Sequence, residues 1–223
     1  MNLLVVLALS FEVATVKVSA PIPVGGSVGI NLGSFRNGRL TLTNVTLAEC
    51  LQYAYALPSQ DQISGPDWIK SRQTQFDIVA KAPPETDGDS VRQMLRSLLA
   101  ERLKLVVRVE EKPFAFAALV QAKAGSKLVE APPGVAGANS GRPGLITGQS
   151  MPMAVLASLL SRFEGQLVVD RTGLAGRYQF KLEWEGASLS SALEDQLGLH
   201  LEPRKEPLDV VVVESAQQTP IDN

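Results

Sequence analysis

The stretch Leu99-Ala100-Glu101-Arg102-Leu103-Lys104-Leu105 returns later in the chain as Leu193-Glu194-Asp195-Gln196-Leu197-Gly198-Leu199, and Pro113 returns as Pro207 at the same offset. Leucines four apart followed by Leu-x-Leu describe a helix that runs into a strand. Working outward, Val45-Thr46-Leu47 is echoed by Met151-Pro152-Met153, and Phe76-Asp77-Ile78 by Tyr178-Gln179-Phe180. The offset shrinks along the chain because the first copy carries a longer insert at residues 83–89. Two copies of one β-α-β-β-α-β-β unit account for the pattern. The expected fold is therefore α+β: two similar modules in tandem, each a small mixed sheet packed by two helices.

Local signals place the elements. Phe11, Val13, Thr15 and Lys17 alternate with Glu12, Ala14, Val16 and Val18, which is the period of a strand. Residues 21–38, broken by Gly25-Gly26, Gly29 and Gly33, read as a loop. Thr46-Leu47-Ala48-Glu49 has the form of a capping box, and Leu47, Cys50, Leu51 and Ala54 share one face of the helix it opens. A second box at Ser90 and Gln93 opens a helix with Val91, Met94, Leu95, Leu98 and Leu99 inside. In the second half, Ser150 with Pro152, and then Ser188, mark two further helix starts. Each copy is expected to close with a hairpin, over 104–122 through Glu110-Glu111-Lys112-Pro113 and over 199–214. The resulting organisation is an apolar segment at 1–10, modules at 11–122 and 144–215, a Gly/Pro-rich linker at 123–143 and a tail at 216–223.

Composition narrows the chemistry. The 223 residues are 45% hydrophobic and 20% charged, as in ordinary globular proteins. Lys and Arg total 21 against 23 for Asp and Glu, so no cationic excess exists to hold a nucleic-acid backbone. One Cys and one His exclude a disulfide and leave too few N/S ligands for a structural zinc site, and no cofactor is expected. The apolar run at residues 3–9 is far short of the ~20 residues that span a bilayer. It sits at the lower edge of a signal-peptide core, without a basic flank or a cleavage site. Two accounts fit it, a start codon placed late within an export signal or an N-terminal strand extension.

Several stretches carry a resemblance. Phe11-Glu12-Val13-Ala14-Thr15-Val16-Lys17, Asn44-Val45-Thr46-Leu47, Phe76-Asp77-Ile78-Val79-Ala80-Lys81-Ala82-Pro83, Leu98-Leu99-Ala100-Glu101-Arg102-Leu103-Lys104-Leu105 and Val168-Val169-Asp170-Arg171-Thr172-Gly173-Leu174-Ala175-Gly176-Arg177-Tyr178 resemble a heavily duplicated acidobacterial family, a domain of unknown function. The resemblance implies an exported protein, since members usually carry an export signal and the domain also occurs fused to membrane metallopeptidases of the antibiotic-sensor type. Each half also resembles, more weakly, the short N-terminal domain of secretins and TonB-dependent transducers. That likeness implies contact with protein partners and no chemistry.

Candidate site residues follow. Asp170 can act as a base or a salt-bridge partner, with an anionic ligand held by Arg171 and Arg177, in a crevice between the modules. Equally, Asp170 and Thr172 can serve loop N–H groups while Gly173 and Gly176 turn the chain. Trp68 and Trp184 are candidate anchors for a partner, or simply complete a core. His200, between Leu199 and Leu201 in an alternating strand, is expected on the face opposite them; no serine sits in a Gly-x-Ser-x-Gly elbow. Glu183 and Glu185 flank Trp184 as a solvated strand face or a carboxylate pair. The expectation is a non-enzymatic envelope protein, periplasmic or secreted, that binds a protein or peptide. The alternative is a small-ligand binder or an enzyme.

Overall fold

A computed structural model of the chain describes residues 9–20, 29–135, 139–186 and 188–221. The run at residues 3–9 lies outside them except for Leu9, as do residues 21–28 of the Gly-rich stretch. The first copy runs β1 (Val13–Val18), β2 (Asn31–Arg36), β3 (Arg39–Val45), α1 (Leu47–Ala54), β4 (Ile63–Ser64), β5 (Phe76–Lys81), α2 (Gly88–Leu103) and β6 (Val106–Gln121). The second runs β7 (Val129–Glu130), β8 (Asn139–Arg142), β9 (Leu145–Pro152), α3 (Met153–Glu164), β10 (Val168–Asp170), β11 (Arg177–Glu183), α4 (Leu189–Ala192) with a π-helical turn at Leu193–Leu197, and β12 (Leu199–Ser215). The fold is α+β. Strand for strand and helix for helix, the two copies share one order.

The sheets repeat as well. One has the order β1-β5-β3-β2 and another β7-β11-β9-β8, both antiparallel throughout. In the third, β6 and β12 are neighbours, β4 lies parallel to β12 (Ile63 opposite Val211), and β10 lies parallel to β6 (Val168 opposite Ala117). Each short parallel strand thus pairs with the last strand of the other copy. Contacts accordingly divide the chain into one unit of Met1–Lys112 with Leu208–Asn223, and a second of Pro113–Pro207. In the first unit Leu40, Leu42, Leu51, Phe76, Ile78, Leu95 and Leu99 pack with Val211 and Val213. In the second, Ile146, Met151, Leu156, Leu160, Leu182, Leu193 and Leu197 pack with Leu119.

The expected closing hairpins are single strands. Glu110-Glu111-Lys112-Pro113 lies inside β6, and Pro207 lies inside β12. Proline is tolerated in a strand wherever its missing N–H is not needed by the ladder, so a Pro beside charged residues does not by itself make a turn. The loop expected at 21–38 is also corrected. Residues 31–36 form β2, joined to β3 by Asn37-Gly38 with φ of 49° and 73°, the two-residue turn whose twist suits a hairpin. A side chain at Gly38 would overlap the Ala82 carbonyl oxygen. β7 and β8 fall in the Gly/Pro-rich stretch at 123–143 and pair with β11 and β9.

Caps follow the sequence at two of four helices. Thr46 and Glu49 close the box at α1, and Ser188 accepts from Ser191 N at 3.1 Å. At α2 the cap is Asp87 instead of Ser90, because its carboxylate takes two orphan N–H groups, those of Asp89 and Ser90, at 2.9 Å each. Ser150 stays in β9, and Pro152 precedes α3 without a side-chain cap.

The repeat extends to the helix ends. α2 stops at Lys104 (φ 48°) and the α4 turn stops at Gly198 (φ 63°), equivalent positions with the same left-handed backbone. A non-glycine residue pays roughly 1 kcal/mol or more there. Lys104→Gly is expected to stabilise the protein by about 1 kcal/mol in urea denaturation. Gly198→Ala adds a clash with the Gly125 carbonyl oxygen and is expected to cost about 2 kcal/mol or more. A chain ending at Pro207 removes the partner of β4 together with buried Val211 and Val213, each contributing roughly 1.5–3 kcal/mol. Amide exchange of that truncation is expected to show protection lost from α1 and β3–β5.

Candidate functional site

The loop after β10 serves backbone geometry. Asp170 Oδ1 accepts from Thr172 N at 2.9 Å and from Thr172 Oγ1 at 2.8 Å, and Thr172 Oγ1 in turn accepts from Leu174 N at 3.1 Å. Gly173 has φ of 71°, while Gly176 stays outside the positive region. Arg171 lies over the Phe116 ring, 5.6 Å from its centroid, and donates to Glu206 Oε2 at 3.3 Å. Arg177, at the start of β11, donates to the Oγ and carbonyl oxygen of Ser150 at 2.8 and 2.6 Å. Asp170 and Arg171 are thus neighbours, whereas Arg177 is committed to β9.

Both tryptophans are half-buried against cores. Trp68, in a short 3-10 turn (Asp67–Lys70), packs on the first core. Trp184 meets Phe163 edge-to-face at 5.3 Å against the second. Cys50 is fully buried on the α1 stripe, and burial pushes its thiol well up, with the Glu49 charge adding to the effect. His200 is half-buried on β12, and its Nε2 lies 3.0 Å from Glu202 Oε1. Glu202 also accepts from Arg204 Nη2 at 2.9 Å, and Arg204 reaches Glu206 at 3.3 Å. Residues 200, 202, 204 and 206 share one strand face, so these side chains form a ladder of polar contacts ending at Arg171. Hydrogen bonding from Arg204, then from His200, holds the Glu202 carboxyl below its usual range.

Three concavities are found among the described residues, one of about 560 Å³ beside His200 with Lys127, Glu194 and Asp195 in its lining. The open face of the β9/β11 sheet carries a groove of about 730 Å³ along Val129, Thr147, Gln149, Gln179, Phe180 and Lys181. A smaller cavity, about 300 Å³, lies in the first unit between β1 and α2, lined by Phe11, Ala14, Met94 and Leu98 with exposed Ser97 and Glu101. Beside that cavity is a sheet edge that no other strand covers among the described residues. β1 is the outermost strand of its sheet, and Ser19 N donates to Gln75 O at 2.8 Å. That bond fixes the phase: backbone groups of Thr15 and Lys17 turn to β5, and those of Ala14, Val16 and Val18 turn to the free edge. Neither feature emerged from the sequence reading. The alternation at 11–18 marked a strand, but edge position depends on which strands pair far along the chain.

The equivalent edge in the second copy is filled differently. β7 and the residue after it pair with β11 at Arg177 to Gln179, and farther along the Gln196 amide takes over. Gln196 donates to Glu183 O at 2.6 Å and accepts from Glu183 N at 3.0 Å, so a side chain substitutes for a strand. Gln196 corresponds in the repeat to Arg102, which lines the cavity beside β1.

Among the described residues no helix is long and apolar enough to cross a membrane, and no group of His, Cys, Asp or Glu is placed to hold a metal ion. No curated protein and no solved structure matches the chain. A family model described as "Protein of unknown function (DUF3738)" matches residues 48–216, which takes in both copies from α1 through β12. The chain therefore belongs to this family of unknown function.

Proposed function

We propose that the protein is an exported, non-catalytic module that binds an extended segment of a protein or peptide by adding it as a strand to β1. The observation that carries this reading is the edge at Ala14, Val16 and Val18, unpaired among the described residues and lying beside a cavity on the helix side of the same strand. Strand addition uses backbone hydrogen bonds for affinity and pockets for alternate side chains for specificity, and both are present here. Val13 and Val18 are 62% and 49% exposed, so apolar area on β1 remains to be covered. A non-catalytic role is supported by the chemistry of the candidate groups: Cys50 is fully buried, and Asp170, Arg171, Arg177 and His200 are engaged by Thr172, Glu206, Ser150 and Glu202. Export is supported by the apolar run at residues 3–9.

The test uses the full chain and a labelled probe of about ten residues alternating Val and Thr, a length that matches a typical strand. Binding is expected to protect the amides of Ala14, Val16 and Val18 from exchange. Ala14→Pro and Val18→Pro each delete one outward N–H and are expected to weaken binding roughly two- to tenfold, as one hydrogen bond of ~0.5–1.5 kcal/mol implies. Ser97→Trp, which fills the cavity from exposed α2 surface, is expected to do the same without altering β1. Protection appearing elsewhere, or binding indifferent to all three substitutions in folded protein, would falsify the strand-addition reading. Export is checked by cell fractionation: recovery with periplasmic or secreted markers is expected, and recovery with cytoplasmic markers alone would overturn it.

A further inference from the structure

We infer that the segment received by β1 is acidic on the sheet face turned away from α1 and α2, and apolar on the other; this rests on the strand-addition reading above. The register of the first sheet sets its outward face in rows. Val13, Lys81, Arg39 and Arg36 stand opposite one another across all four strands, and Thr15, Val79, Thr41 and Ser34 form the next row. Lys17 and Asp77 share a third. Lys81 faces Arg39 and Arg39 faces Arg36, although like charges directly opposite one another destabilise a sheet. All three are exposed, and among the described residues none of them makes an ion pair.

Carboxylates on this face do not offset the row. Asp77 Oδ1 is tied to Ser19 Oγ at 2.9 Å and to Asn44 N at 2.8 Å, one row beyond the hydroxyls. Elsewhere cations stand beside acids, as Arg204 does between Glu202 and Glu206, Arg171 beside Glu206, and Arg72 beside Glu49. The repulsion across β5, β3 and β2 gives the fold nothing, and an anion brought to the face relieves it.

A strand added to β1 places alternate side chains beside Val13, Thr15 and Lys17, at roughly 4.5–5.5 Å between Cβ atoms. An acid beside Lys17 meets it directly. Another acid, four residues away along the segment, lies beside Val13, with Lys81 one strand spacing of ~4.8 Å behind that short side chain. The intervening residues of the segment turn to the helix side, where Phe11, Met94 and Leu98 line the cavity. Acid at positions i and i+4, with apolar residues at i+1 and i+3, is therefore the pattern that fits.

Three labelled probes of about ten residues, alternating Val with Glu, with Thr or with Lys, are titrated into the full chain and read by fluorescence anisotropy. The Val/Glu probe is expected to bind at least about tenfold tighter than Val/Thr, with Val/Lys weakest, and the spread is expected to collapse in ~0.5 M salt. The double variant Arg39→Glu with Lys81→Glu is expected to invert the order. Val/Thr binding that protects the β1 amides while Val/Glu is no tighter overturns the acidic preference and leaves strand addition standing. Val/Glu binding that survives Ala14→Pro undiminished, or matching capture of the protein by anionic phospholipid vesicles in both forms, overturns the proposal in favour of a general anion surface. Failure of all three probes overturns strand addition itself.

Discussion

A strand of two or three residues cannot stand alone, because its backbone groups are buried and must be paired. β4 and β10 are such strands, and each pairs with the last strand of the other copy: Ile63 and Ser64 with Val211 and Val212 on β12, and residues 168–170 with 117–119 on β6. The two long strands are therefore shared property. β6 leaves the first unit at Lys112 and enters the second at Pro113, and β12 makes the reverse passage at Pro207. Duplication alone would have produced two independent domains in sequence. Exchange of the final strands ties the folding of each copy to the other, and Val211 and Val213 enter a core otherwise built from residues 16–105.

The same duplication allows the copies to differ where no partner is required. β7 corresponds to the last two residues of β1, and its shortness is made good by the Gln196 amide on Glu183. In the first copy the whole of β1 is laid down opposite β5, from Val13 against Lys81 to Val18 against Phe76. The second copy thus closes its edge with a side chain, while the first completes its sheet and leaves a six-residue strand outermost. One Lys among the six, Lys17, is the only charged residue of that strand, a modest guard against indiscriminate pairing.

Legibility followed the range of the interactions involved. The Thr46–Glu49 box, the buried stripe with Cys50, the Ser188 cap and the alternation at 13–18 are set by neighbours within one turn or one strand, and the structure shows them where the local pattern places them; Phe11 lies before the strand and turns to the first core instead of sharing a face with Val13. The repeat itself was visible because equivalent leucines occupy equivalent core positions, Leu99 and Leu103 in one unit and Leu193 and Leu197 in the other. What stayed hidden depended on distant pairing. Glu110-Glu111-Lys112-Pro113 has the composition of a turn, and only the presence of β12 alongside makes it strand. Asn37-Gly38 has the composition of a hairpin turn, but the glycines before it argue for a loop, and the strand they interrupt is fixed only by its pairing with β3. Of the candidate residues, Asp170 and Thr172 read correctly as loop ligands because their partners lie two residues away. Ser150, the partner of Arg177, is far off in the chain, so the destination of that guanidinium was not legible.

Net charge shows how an average conceals an arrangement. A balance of 21 basic to 23 acidic residues argues against a polyanion-binding protein when spread evenly over a surface. Here it is not spread evenly. The β12 ladder from Glu202 to Glu206, with Arg171, sets acids and bases in alternation, where each finds its counter-charge within hydrogen-bonding reach. The first sheet sets Lys81, Arg39 and Arg36 shoulder to shoulder instead. Because screening confines exposed charges to neighbours within roughly 10 Å, the surplus acids elsewhere do little for that row. A nearly neutral chain can therefore present a locally cationic face. Its register with the free edge of β1 is what makes the face a property of that edge rather than of the molecule as a whole.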